Sequence, residues 1–381
     1  MSTGNQIDSL FCGELLFNDF DQADPKSLED LRGKKLAVYG LGECSHWFFE
    51  VAMRQRSITP DIAIDRDAAD KCWHGVPALN LADLPASGTE FSEFTAIVCI
   101  GNHDNACDAA KRLRNEGFTD IYHLAQFYEA QFPLDTIGYE STKRFQSKLG
   151  EIRQGFDLFH DKLSKELYLR VLQSAISGIP SILPSSDNHF QYFPADVELS
   201  RGYGSYVCCG SYDGENIRKA FEHGAAPGQM TCFEPDPTIY PLLQQCAQKY
   251  REIASHPIRC LPYAISNFSG SARFTSQGGL GSHLQGNGEL LVDVIDLDSA
   301  LLDEQPTLIT MDIEGEELRA LMGGEQTLRN CNPDLAISVY HTPEHLWEIP
   351  SFIHHLDLGY QFYLRNYTGY NAETVLYATA G

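Results

Sequence analysis

Apolar residues along this chain fall into two blocks of alternating strand-like and helix-like pattern, separated by a long charged stretch. From Lys35 a short run rich in branched residues, KKLAVYG, leads into LGECSHWFFEVAMRQ, whose apolar positions recur at helical spacing. The strand DIAID ends at Asp65 and the strand FTAIVCI leads to Gly101; a helix around Ala106–Arg114 and a strand near Ile121 follow. Alternating β and α units predict a parallel sheet covered on both faces. The second block starts at Tyr203. Its expected strands are SYVCC, QMTCFE, IRCLPYAI, LITMDI, LAISVY, YQFYLRN and ETVLYATA, and its helices cover Glu215–His223, Thr238–Lys249, Glu316–Arg329 and Pro343–Leu356. The last two strands flank a TGYNA turn and read as a hairpin, so one of them runs antiparallel.

The intervening segments LDTIGYESTKRFQSKLGEIRQGF and DKLSKELYLRVLQSAI are helical in pattern, and the Pro/Ser-rich GIPSILPSSD follows them. The expected organisation is a Rossmann-like domain over 1–130 opening on a polar arm, a helical connector over 131–200, and a second domain over 201–381. The fold class is α/β, with two doubly wound Rossmann-like domains. No internal repeat or low-complexity tract interrupts this layout.

Composition narrows the function. With 52 acidic against 28 basic side chains the net charge is −24. That excludes a nucleic-acid binder, which needs clustered Lys and Arg, and an anionic membrane surface would repel such a chain. Most of the 11 cysteines sit singly in apolar runs, as Cys99, Cys232 and Cys260 do, with no CxxC or zinc spacing. This is cysteine usage for a reducing compartment. The chain start lacks a basic region followed by a long apolar stretch, and no run reaches the roughly 18 apolar residues of a membrane span. A cytoplasmic protein is expected.

Ligands of open α/β sheets bind beyond the carboxyl ends of the strands, and in the second block those ends carry chemistry. The first strand ends at Gly210-Ser211-Tyr212-Asp213-Gly214, a turn where two glycines let backbone approach a ligand; alone it is an ordinary strand-to-helix turn. The second ends at Glu234-Pro235-Asp236, about 20 residues on. Glu234 is spaced to accept both hydroxyls of a ribose, and Asp236 suits a helix cap. This pair fits an adenosine-containing ligand without separating NAD from S-adenosylmethionine. The fourth strand ends Asp312-Ile313-Glu314, two carboxylates at alternate positions that would face one side. They could hold the sulfonium side of a cofactor, orient a hydroxyl, bind a divalent cation or act as base, whereas Glu316 and Glu317 suit a first helical turn. The letters His341-Thr342-Pro343-Glu344-His345 match an inverted zinc-protease motif. Pro343 belongs at the first helical position with Thr342 as cap, which leaves His341 outside the helix and rules that motif out. His341 reads equally as a general base and as a structural histidine.

These motifs in order resemble the FkbM methyltransferases over roughly Gln191 to Ala380. The matching segments are QYFP, GSYDGE, FEPDP, PYAIS, the DIEGEE block from Asp312, Tyr340-His341, LRNY and ETVLYA. The resemblance implies a class I methyltransferase fold with its terminal hairpin. It also implies methyl transfer from S-adenosylmethionine to a hydroxyl of a small sugar or secondary metabolite. By it, the Gly210–Gly214 turn and Glu234 hold the cofactor and the segment Ala264, Ile265 and Ser266 borders the adenine. Pro235 is expected beside Glu234 in the cofactor site, and Asp312, Glu314 and His341 are the expected catalytic residues, with Asp312 or His341 as base. The family usually has an acid two residues before the first glycine. Cys208 stands there, so Asp213 or Glu215 would have to compensate.

In the first block, Gly40-Leu41-Gly42-Glu43-Cys44-Ser45 resembles a dinucleotide fingerprint with serine in the third glycine position, and Asp65 closes the next strand at the expected distance. This block binds a nucleotide or sugar nucleotide, or only keeps the fold. Two further readings therefore stand beside the methyltransferase: a nicotinamide- or sugar-nucleotide-dependent enzyme, and a non-catalytic protein with two degenerate nucleotide folds.

Overall fold

The computed structural model describes Ile7 and residues 27–66, 68, 72–86, 88–100, 103–124, 127, 145–177, 183–225, 227–251, 253–254, 256–275, 283–284, 288, 290–368 and 372–381. Nearly all of the N-terminal arm, the first part of the connector, most of the glycine-rich loop after Thr275 and the centre of the TGYNA turn lie outside them. The chain divides into two compact units, one of Met1–Gly150 with Leu169–Ile182 and one of Glu151–Tyr168 with Leu183–Gly381. The connector helices are α3 (Leu149–Leu158) and α4 (Lys162–Ser177), and α4 runs through the division. No helix among the described residues is long and apolar enough to cross a membrane.

In the first unit, β1 (Lys35–Tyr39), β2 (Ile62–Asp65), β3 (Cys72–Trp73), β4 (Val76–Asn80), β5 (Phe94–Val98) and β6 (Asp120–His123) form one sheet in the order β3-β4-β2-β1-β5-β6. All neighbours pair in parallel except β3 with β4. Helix α1 (Glu43–Phe48) follows β1 and α2 (His103–Asn115) follows β5. Leu36, Val38, Phe48, Met53, Ala63, Ile97 and Tyr122 pack in its core. The β3–β4 hairpin was not foreseen. CWHGVPALN is too short and irregular to show a period, and its turn depends on His74 and Gly75, both at positive φ.

In the second unit, β7 (Ser205–Cys209), α5 (Glu215–Glu222), β8 (Gln229–Phe233), α6 (Tyr240–Tyr250) and β9 (Ile258–Leu261) run in succession. They are followed by β10 (Ala264–Ser266), β11 (Gly270–Thr275), β12 (His283–Leu284), β13 (Leu290–Asp296), α7 (Leu297–Ala300), β14 (Leu308–Met311), α8 (Glu317–Met322) and α9 (Glu325–Cys331). The chain ends with β15 (Asp334–Ser338), α10 (His345–His355), β16 (Gln361–Asn366) and β17 (Thr374–Thr379). The main sheet has the order β16-β17-β15-β14-β7-β8-β9. Strands β15, β14, β7, β8 and β9 are parallel, and β17 is antiparallel to both neighbours, as the expected hairpin requires. Because helices cover such sheets, the central strands are buried end to end rather than alternating, as β14 and β15 are.

Four expectations change here. IRCLPYAI is two strands: Pro262, which has no N–H for a ladder, ends β9, and the chain crosses to a second sheet of order β10-β13-β11-β12. The predicted helix Glu316–Arg329 is two helices divided at Gly323-Gly324, where a Cβ on Gly323 would lie 2.4 Å from the Ser266 carbonyl oxygen. Strand β14 stops at Met311, before Asp312. Helix α10 begins at His345, two residues beyond Pro343, which sits in the preceding turn.

Candidate active site

Order reverses in the main sheet between β7 and β14, and a crevice opens there beyond the strand ends. Gly210, Ser211, Tyr212, Glu234, Pro235, Ala264, Ile265, Asp312 and Glu314 all line it. Gly210 (φ +83°) is required at its floor, since a Cβ there would stand 1.9 Å from the Asp312 carbonyl oxygen. The β7 turn and the β14 end can therefore touch only through a glycine.

Glu234 ties two sides of this floor together. One carboxylate oxygen accepts the Tyr212 amide at 3.0 Å and the other the Asp236 amide at 2.9 Å. Burial pushes its carboxyl up to about 7 in spite of these amides. Asp236 caps the turn into α6, accepting the Thr238 amide and hydroxyl at 2.8 and 2.7 Å. Asp213 and Gly214 do not line the crevice: Asp213 pairs with Arg218 at 2.8 Å, and Gly214 abuts Cys246. Cys208 is buried in β7 and receives the Asn216 amide at 3.0 Å on sulfur. Of the two acids expected to stand in for a carboxylate there, Glu215 lines the crevice, paired with Lys219 at 3.0 Å.

On the opposite wall Asp312 is the hub. Tyr340 donates to one of its oxygens at 3.1 Å and Tyr192 to the other at 3.1 Å. His341 approaches it with Nε2 at 3.3 Å and stands 3.4 Å from Glu314. Burial raises Asp312, the nearby His341 charge opposes this, and it rests at about 7. Burial alone would lower His341. Glu317, Asp312 and Glu314 outweigh it and lift the imidazole to about 9, so it carries its proton near neutrality.

Glu317 is not a surface acid of a first helical turn. It is fully buried, takes His341 Nδ1 at 2.8 Å and the Ile313 amide at 3.0 Å, and lies 3.2 Å from His345. The two histidines hold its carboxyl well below the usual range against the pull of burial. His341 is outside the helix as expected, yet both histidines meet on this one carboxylate. Asp312, Glu317 and His341 each bring a donor atom within 4.8 Å of the others, a spacing compatible with a cation. The Glu317 oxygen facing His341 is already committed to that ring and to the Ile313 and Gly315 amides, so the cluster is knit by its own hydrogen bonds.

Asp312 and Glu314 come together as expected, but not through strand alternation. Glu314 (φ +56°) and Gly315 (φ +103°) form a left-handed turn after β14. Eight non-glycine residues among those described have positive φ, and Tyr192, Tyr212, Glu314 and Glu373 all line this crevice. Such conformations cost about 1–3 kcal/mol each and concentrate at functional sites. Sequence reasoning gave no role to Tyr192, Tyr340 or Glu373, and placed Glu317 only as an acid of a first helical turn. Glu373 accepts from Gln191 and, at 3.5 Å, from Tyr340. Their only signal was membership of the QYFP, Tyr340-His341, DIEGEE and ETVLYA segments.

In the first unit, Gly40, Gly42 and Asp65 line a second crevice of their own.

Residues 209–363 match the family model of the methyltransferase FkbM domain. The second unit carries an FkbM methyltransferase domain. Most of the crevice belongs to it: Gly210, Glu234, Ala264, Asp312 and Glu314 lie inside the matched span, as does His341, which does not itself line the crevice, whereas Tyr192 and Glu373 lie outside. The whole chain also has the fold of a solved structure, the methyltransferase FkbM from Methylobacillus flagellatus KT. The two are 18% identical with a TM-score of 0.66, and 99% of each chain is covered. Comparison with curated proteins gives no match. The FkbM domain supports a methyltransferase, and the candidate residues line the crevice at the switch in strand order, where open α/β sheets hold ligands.

Proposed function

We propose that the second unit transfers a methyl group from S-adenosylmethionine to a hydroxyl oxygen of a small sugar or secondary metabolite. The observation that carries this is the meeting of Glu234 and Asp312 in one crevice at the switch in strand order, within the FkbM domain. The seven-stranded order with its terminal hairpin supports a class I methyltransferase fold. Seven carboxylic residues and no lysine or arginine line the crevice, which suits a sulfonium and disfavours anionic ligands.

When bound, S-adenosylmethionine supplies a methyl group already activated on a positively charged sulfur. Glu234 takes the ribose hydroxyls, Ala264 and Ile265 flank the adenine, and the Gly210–Tyr212 turn receives the methionine end. Asp312, poised near neutrality, accepts the proton of the acceptor hydroxyl as the oxygen is alkylated. His341 in its protonated form is not the base. It holds a positive charge beside Asp312, and Tyr192 and Tyr340 fix the carboxylate's direction. Aligning the acceptor with the methyl group is the larger task, and orientation of this kind lowers a barrier by several kcal/mol.

Calorimetric titration of the full chain with S-adenosylmethionine tests the reading, alongside Glu234→Ala. Saturable binding that weakens by about tenfold to a hundredfold in the variant is expected, since a hydrogen bond to a charged group is worth about 1.5–3 kcal/mol. Absence of binding in the unaltered protein would falsify the proposal.

A further inference from the structure

The first unit repeats, with different side chains, the arrangement at the heart of the second. Its strand order reverses between β1 and β5, and a crevice of about 440 Å³ opens beyond their carboxyl ends, within the range of small-ligand sites. Gly40 (φ +88°) stands where a Cβ would lie 2.8 Å from the Ile100 side chain, so the turn is glycine by necessity. Asp65 at the end of β2 accepts the Leu41 amide at 2.7 Å, as Glu234 at the end of β8 accepts the Tyr212 amide. Ser45, in the third fingerprint position, is buried and returns its hydroxyl to the Gly42 carbonyl at 2.7 Å, so this departure costs the turn nothing.

What differs is charge. Arg66, directly after the clamping aspartate, and Arg112 on α2 both line this crevice, while the other crevice has no cationic lining residue. Both guanidinium groups are exposed, and neither takes part in an ion pair among the described residues. A half-buried carboxylate fixed by a backbone amide suits donors such as ribose hydroxyls and repels a phosphate placed on them. Two arginines nearby suit a phosphate chain.

We propose that the crevice of the first unit, built on Gly40, Asp65, Arg66 and Arg112, binds a nucleoside diphosphate with free ribose hydroxyls. This site is separate from the methyl-transfer site and does not depend on that reading.

The test is calorimetric titration of the full chain with ADP, with UDP, with adenosine and with adenosine 2′,5′-bisphosphate. Saturable binding of ADP or UDP is expected, with adenosine and the 2′,5′-bisphosphate each at least about tenfold weaker. Arg112→Ala should bring the ADP affinity down to that of adenosine. Asp65→Ala should weaken ADP by about tenfold or more. Asp65 also braces the turn, so Gly42→Leu provides an independent block: Gly42 has an ordinary φ of −81°, and a Cβ there meets nothing within 4 Å. Thermal melts report the folding of each variant. In Glu234→Ala protein, ADP binding should be unchanged. Failure of both diphosphates to bind at millimolar concentration overturns the proposal. So does a loss of ADP binding in Glu234→Ala, or tighter binding of the 2′,5′-bisphosphate than of ADP.

Discussion

The two crevices lie at the same place in two sheets of related order, yet chemically they are near opposites. Seven carboxylic residues line the one in the second unit, and its wall is laced by hydrogen bonds from Tyr192 and Tyr340 to Asp312 and from Gln191 to Glu373. Its volume is also the smaller, about 150 Å³ against about 440 Å³. Two arginines and two aspartates line the other, and its lining residues carry no strained non-glycine backbone. Topology makes the place and the acid-to-turn clamp. The side chains beyond the clamp select the ligand, and they do so independently in each unit.

The sharpest way to break this contrast is to remove the carboxylate that has no counterpart in the first unit. Asp312→Asn keeps the shape and removes the base, and kcat is expected to fall by about 10²–10⁴-fold. Binding of S-adenosylmethionine, measured by calorimetry on the same preparation, should move by no more than a few fold. An equal loss in both quantities would make Asp312 a cofactor ligand rather than a base.

Glycines come next. In Gly210→Ala the new methyl group collides with backbone at 1.9 Å, and backbone cannot swing aside as a side chain can. A destabilisation on the order of 3 kcal/mol or more is expected in the melt. Gly42→Ala in the first unit meets open space and should cost only about 0.5–1 kcal/mol, through the poorer helix cap. Comparable costs would mean that the two turns are equally pressed against their sheets.

Such differences show what a sequence displays and what it hides. The strand ends carrying Gly210, Glu234, Asp312, Gly40 and Asp65 were legible because a tight turn and an acid at fixed spacing follow from the fold's own requirements. Tyr192 and Glu373 were not. They reach the crevice from a segment before β7 and from the turn between β16 and β17, at residues whose positive φ no local pattern announces. Glu317 was misread because an acid early in a helix usually faces water, and only the packing of His341 and His345 buries this one. Strand β13, LLVDVID, is not among the expected strands, although its buried Val292 and Val294 alternate with exposed Leu291 and Asp293.

Protonation gives a subtler separation. Methyl transfer is expected to rise with pH through about 7, as Asp312 loses its proton, and to fall above about 9, as His341 loses its own. The direction follows from the roles, since the base works deprotonated and its cationic neighbour protonated. Glu317→Gln removes the carboxylate that does most to lift His341, so the descending limb should move toward the ordinary histidine value of about 6.5. An unmoved descending limb in the rate profile of that variant would show that it belongs to another group. Nucleoside diphosphate binding in the first unit has no such buried pair and should vary little over the same range.

The smallest effect concerns Ser45, which stands where a dinucleotide fingerprint has its third glycine. Its hydroxyl bonds the Gly42 carbonyl, but that oxygen also accepts the Ser45 and His46 amides at 3.1 and 3.3 Å. Ser45→Ala therefore leaves no buried acceptor without a partner, and alanine is the better helix former. The expected change in stability is about 0.5 kcal/mol or less, and ADP affinity should stay within about twofold because a side chain 1% exposed cannot reach a ligand. A large loss of ADP affinity in calorimetry, with the melt unchanged, would place that hydroxyl in the crevice. The third position would then be one that reads the ligand, and not simply one that lets the helix pack close to its strand.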